Sequence, residues 1–110
     1  MLDETLSRIE AAIKRVEKAG PKEKAELVAL LGRLKEEVRT LHQTHSEQAR
    51  SIASFADAAA HEATRRPQDE ALRRHSQEGL GASVSEFEAS HPRLVALVNE
   101  LCTELSRLGI

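Results

Sequence analysis

The chain has 110 residues, of which 40% are hydrophobic and 31% charged, with a formal net charge of -2. That length suits one domain, residues 1–110, with a modest core. The near balance of charge argues against a dedicated nucleic-acid binder, which carries a clear basic excess. Phe55 and Phe87 are the only aromatic residues besides histidine, so the core has to be built from Leu, Val, Ile and Ala.

The first helix is expected over residues 2–19, with Asp3 as its cap and Lys14, Arg15 and Lys18 favouring its negative end. Leu2, Leu6, Ile9, Ile13 and Val16 recur at spacings of four and three, which gives this helix a single apolar seam. Gly20-Pro21 ends it, since Gly suits the position after a helix and Pro the first turn of the next. So short a connection makes helices 1 and 2 antiparallel neighbours.

The second helix spans residues 22–65 and organises the rest. Leu27, Leu31, Leu34, Val38 and Leu41 alternate spacings of four and three, and after His45 and Gln48 the phase returns as Ile52, Phe55 and Ala59. Unbroken, this helix is about 45 residues and on the order of 65 Å long. Thr44-His45-Ser46-Glu47 matches a capping box, a competing signal for a new helix start, but the apolar phase survives it. Arg65, Arg66 and Pro67 mark the end.

Asp69-Glu70 opens a third helix over residues 69–90, weakened by Gly79 and Gly81 at roughly 1 kcal/mol each relative to Ala. A fourth follows over residues 92–108. Pro92 disfavours helical geometry at His91, yet Leu80, Val84, Phe87, His91, Leu94, Val98, Leu101, Leu105 and Leu108 keep one phase. A kink fits this better than a large turn, which leaves open whether the two helices are continuous.

A hairpin turning near Arg66 pairs residues whose numbers sum to about 133. Leu31 then meets Leu101, Leu34 meets Val98, and Phe55 faces Gly79, whose missing side chain makes room for the ring. Helix 1 runs out beside Arg39 or Leu41. The expected fold is therefore all-α: an elongated antiparallel hairpin with a short N-terminal helix on one end, making a three-helix bundle there. The far half has only two helices to cover Ile52, Phe55, Val84 and Phe87. Each large apolar side chain gains about 1.5–3 kcal/mol on burial, so a homodimer is the expected cover, with those four residues as anchors. The alternatives are that the far half folds back, or that it binds a different helical protein.

Several blocks resemble the small bacterial family known as domain of unknown function 4404. They are the Leu6 to Val16 helix, Lys24-Ala25-Glu26-Leu27-Val28-Ala29-Leu30-Leu31, and above all Phe87-Glu88-Ala89-Ser90-His91-Pro92-Arg93-Leu94 through Leu108-Gly109-Ile110. His61-Glu62-Ala63-Thr64-Arg65 is similar to a block in a longer branch of the family. The resemblance implies a bacterial origin and a helical fold, and no catalytic residue. It makes the far half, an insertion relative to shorter members, the place for a distinctive role.

Among chemical motifs, His42, His45 and His91 converge in the predicted pairing. They read first as a polar layer that fixes register, with a protonation switch or a zinc site as alternatives. His61-Glu62 lacks the second histidine of a zinc protease, since position 65 is Arg. Arg65, Arg66, Arg73 and Arg74 gather at the hairpin tip, where phosphate contact competes with simple helix-end compensation, and no aromatic residue stands there to stack on bases. Cys102 reads as a buried, inert thiol, and as the lone cysteine it fits a reducing interior. No run approaches the roughly 18 uncharged residues of a membrane span, and no secretory leader is expected. The expectation is a cytoplasmic structural or protein-interaction module, with no cofactor and no enzymatic activity.

Overall fold

Proline and capping residues start three of the helices. The computed structural model describes residues 2–15, 20–65, 67 and 69–108. Among them run α1 (Leu2–Lys14), α2 (Pro21–His42), α3 (Ser46–Thr64), α4 (Glu70–Val84) and α5 (Pro92–Leu108), with a 3-10 turn at Ser85–Phe87 and no strand. Pro21 takes the first turn of α2 after an extended Gly20, where its missing N–H costs nothing. Asp69 caps α4 by accepting a hydrogen bond from the Leu72 N–H at 3.1 Å. Pro92, which has no N–H to donate, begins α5. The expected cap Asp3, the seam side chains of Leu2, Leu6, Ile13, Val16 and Leu108, and Arg66 lie outside what is described.

The apolar seams of α2 and α5 are buried. Leu27, Leu31, Leu34, Val38 and Leu41 are covered on α2, joined by Leu30; Leu94, Val98, Leu101 and Leu105 are covered on α5, joined by Leu97. The antiparallel register also holds in both halves of the hairpin: Arg93 on α5 pairs with Glu37 on α2 at 3.6 Å, and the Phe55 ring on α3 lies against Gly79 on α4.

The long second helix does not run on. It stops at His42, Gln43 and Thr44 form a turn, and His45 leaves helical geometry at φ -135°, ψ 63°. The second arm turns as well, through Ser85–Phe87 and residues 88–90. The elongated hairpin is therefore corrected to a folded one: the molecule measures 37 × 25 × 23 Å with a radius of gyration of 12.9 Å. Its long axis holds one helix the length of α2, about 33 Å, and not one of about 65 Å.

Folding over closes the far half with the chain's own helices. Ile52, Val84 and Phe87 are buried at 0%, 1% and 4% exposure. The predicted shortage of cover overlooked α1, which packs on α3 as well as on α2, with Arg8 reaching Asp57 at 3.5 Å. Magnitudes favour the bend. Each of the three large side chains gains about 1.5–3 kcal/mol by burial, against about 0.5–1.5 kcal/mol for each backbone hydrogen bond given up at the turn.

At the centre is α3, which touches each of the other four helices. Its buried residues are Ala49, Ile52, Ala53, Ala56, Ala59, Ala60 and Ala63, all alanine but one. Short side chains let neighbouring helix axes come close. Replacing the fully buried Ala56 by Leu is expected to cost about 1–3 kcal/mol through overpacking, whereas Ala58→Leu, on the exposed side, should shift stability by no more than about 0.5 kcal/mol. Urea denaturation followed by far-ultraviolet circular dichroism checks both.

Candidate functional site

The two turns meet at one corner, where the structure brings histidines together. His45 comes from the α2–α3 turn and His91 from the segment before α5. Their ring centroids are 6.3 Å apart, and both pack edge-to-face on Phe87, at 5.4 and 5.5 Å. Each imidazole is held by the hydroxyl of the preceding residue: Thr44 Oγ1 lies 2.8 Å from His45 Nδ1, and Ser90 Oγ 2.9 Å from His91 Nδ1. His42 is half-buried in the last turn of α2, its Nδ1 enclosed without a hydrogen-bond partner. The ring contacts join His45 and His91 but not His42. Among the described residues no group of three His, Cys, Asp or Glu side chains converges to hold a metal ion. The geometry is that of an aromatic clasp pinning the bend.

The four expected anchors divide between two sides of the α3–α4 hairpin. Ile52, Val84 and Phe87 face inward and are covered by the same chain. Phe55 faces outward at 41% exposure, and Leu72 on α4 is exposed to 44%; among the described residues these are the large apolar side chains left open. Phe55 lies so close to α4 that a Cβ at Gly79 would sit 2.8 Å from two of its ring carbons. That explains a glycine in the interior of a helix, where it otherwise costs about 1 kcal/mol.

At the hairpin tip each described arginine has an acidic partner on or beside its own helix. Arg65 pairs with Glu62 at 3.1 Å, Arg74 with Glu78 at 3.8 Å, and Arg73 with Glu70. The Arg73 guanidinium holds the Glu70 carboxyl below its ordinary range. Part of the positive charge that could meet a phosphate is thus neutralised in place.

A family model described as Domain of unknown function (DUF4404) matches residues 27–110. The chain belongs to this family. No curated protein and no solved structure gives a match. The DUF4404 segment begins within α2 and takes in both turns, the histidine–phenylalanine clasp and the α3–α4 hairpin, while α1 lies outside it. Among the described residues no helix is long and apolar enough to cross a membrane.

Within the DUF4404 segment lies a polar contact that the seam pattern did not reveal, because its residues sit off the seam. Arg73 Nη1 on α4 donates to Ser106 Oγ on α5 at 3.3 Å, and that hydroxyl stands 2.9 Å from Gln77 Oε1. Gln77 Nε2 is enclosed without a partner, and Cys102 Sγ lies 3.9 Å from the Gln77 carbonyl. Burial pushes the Cys102 thiol up from its ordinary range. Spacing could have hinted at the group, since Arg73 and Gln77 are four apart, as are Cys102 and Ser106, each pair on one helix face.

Two expectations follow. Gly79→Ala should leave stability unchanged or lower while Phe55 is present, yet raise it by about 1 kcal/mol in a Phe55→Ala background, where only the gain in helix propensity remains; a double-mutant cycle in urea reads the difference. For Cys102, the folded chain keeps the thiol proton to higher pH than the unfolded chain does. The stability this provides is complete below the ordinary thiol range of about 8.5 and is lost as pH rises beyond it. Cys102→Ala should therefore lose less stability than the wild type between pH 8 and about 10, as measured by denaturation midpoints across that range.

Proposed function

We propose that this DUF4404 protein is a structural or protein-interaction module, not an enzyme, which works by helix-on-helix association and pairs with a second copy of itself. The observation that carries the reading is the double-sided α3–α4 hairpin. Its inner side chains Ile52, Val84 and Phe87 are covered by the chain's own helices, while Phe55 and Leu72 stand open on the outer side. A two-fold contact would use this one edge twice, as symmetric dimers do, and aromatic anchors of this kind dominate contact energies. Near Leu72 in the chain, Arg74 pairs with Glu78 along α4.

Sedimentation equilibrium from low micromolar to millimolar concentration tests this. The expected mass rises toward twice the 12.1 kDa of one chain and returns to one chain on dilution. Phe55→Ser combined with Leu72→Ser should weaken pairing at least about tenfold, or about 1.4 kcal/mol. A mass that stays at one chain throughout, or a dimer indifferent to both substitutions, would overturn the reading.

A further inference from the structure

Both arms of the folded hairpin turn at the same level. On the first arm helical bonding nearly continues through the turn: the His45 N–H donates to the Leu41 carbonyl at 2.7 Å, and the Ala49 N–H to the His45 carbonyl at 2.9 Å. The turn contains neither Gly nor Pro, and α3 starts without a side-chain cap. A straight α2–α3 would gain the backbone bonds from Ser46 to His42, Glu47 to Gln43 and Gln48 to Thr44. It would also carry Leu41 and Ile52 in one unbroken seam. On the second arm the His91 N–H already donates to the Phe87 carbonyl at 2.7 Å, a bond of helical span.

We infer that two copies of this chain exchange their α3–α4 hairpins by straightening at residues 43–45. This contact is separate from the Phe55 edge and uses the inner face instead. In the exchanged pair, α3 of one copy lies on α1, α2 and α5 of the other, and Ile52 and Val84 bury against the same kinds of neighbour as in the closed chain, while the His45–Phe87 contact at the turn opens. A second copy is the fitting occupant because the surface uncovered by opening is the one that already matches this hairpin. The same-chain contact holds the advantage of high effective concentration. Exchange therefore sets in when chains refold together at high concentration, and the product persists on dilution because leaving it requires the hairpins to separate again.

The test uses full-length chains with Cys102→Ala, some carrying Arg8→Cys and others Asp57→Cys. In the closed fold Arg8 and Asp57 meet across α1 and α3 within one chain, at 3.5 Å. Singly substituted chains are mixed, unfolded, refolded at millimolar concentration, diluted, and treated with a short bis-maleimide. Exchange predicts cross-linked pairs joining one Arg8→Cys chain to one Asp57→Cys chain, and a dimer that survives dilution on gel filtration. Ser46→Pro locks the turn, since Pro is accommodated at the first position of α3 but not inside a straight helix. It should abolish both signals while preserving the helical circular dichroism of the monomer. Chains that refold without such cross-links, or a dilution-resistant dimer that Ser46→Pro leaves unchanged, would overturn exchange. A dimer that dissociates on dilution and depends on Phe55 would do the same while leaving the edge contact standing.

Discussion

The structure depends on how closely other helices can approach α3. Its covered face is alanine except for Ile52, so each residue brings little area of its own, and the helix is held by what its thinness admits. Dispersion between close backbones and neighbouring side chains is small per atom pair but accumulates over a whole face. A leucine-rich helix in the same place would bury more surface per residue and push its neighbours outward. With α1, α2, α4 and α5 all touching α3, there is little room for that. Close packing around a slender central helix is what lets a chain of this size enclose Ile52, Val84 and Phe87 by itself.

The bend that brings α3 inward has its own chemistry. A corner turns backbone polar groups outward and needs side chains that tolerate partial exposure. Here the corner is made of His45 and His91 set edge-on to Phe87, each imidazole hydrogen-bonded to the hydroxyl before it. Phenylalanine supplies the buried apolar body, at 4% exposure, and the half-buried histidines supply edges that can face both the ring and water. A polar residue in the seam was expected to fix register along a straight coil. In the structure two of the expected histidines meet instead at a fold-over, where one turn lies against the other.

Much of this could be read from residue spacing. The seams of α2 and α5, Pro21 at the start of α2 and the placing of Phe55 on Gly79 all follow from periodicity and turn chemistry. The break at residues 43–45 did not, because apolar periodicity reports which face of a helix is buried and not whether its axis stays straight. Thr44 to Glu47 did mark the place, although the cap position falls on His45 and the expected side-chain bond is absent. The alanines of α3 were undervalued for a related reason. Counting large side chains suggested a half with too little cover, whereas the deciding property was the small size of the residues between them. The contact among Arg73, Gln77 and Ser106 lay off the seam, where four-residue spacing puts each pair on one helix face but does not say which faces meet.

The position of α1 completes the physical account. The family match covers residues 27–110 and leaves α1 outside it, yet Ile9 on α1 is 1% exposed and belongs to the common core. On a straight hairpin α1 could rest only on the near half and would leave α3 uncovered. Once the hairpin folds, α1 lies against both α2 and α3, and the Lys24 ammonium reaching the Lys14 carbonyl at 3.3 Å ties its end to the start of α2. The bend and α1 therefore depend on each other. The bend gives α1 a second surface to cover, and α1 gives the turned-back α3 a side on which to end.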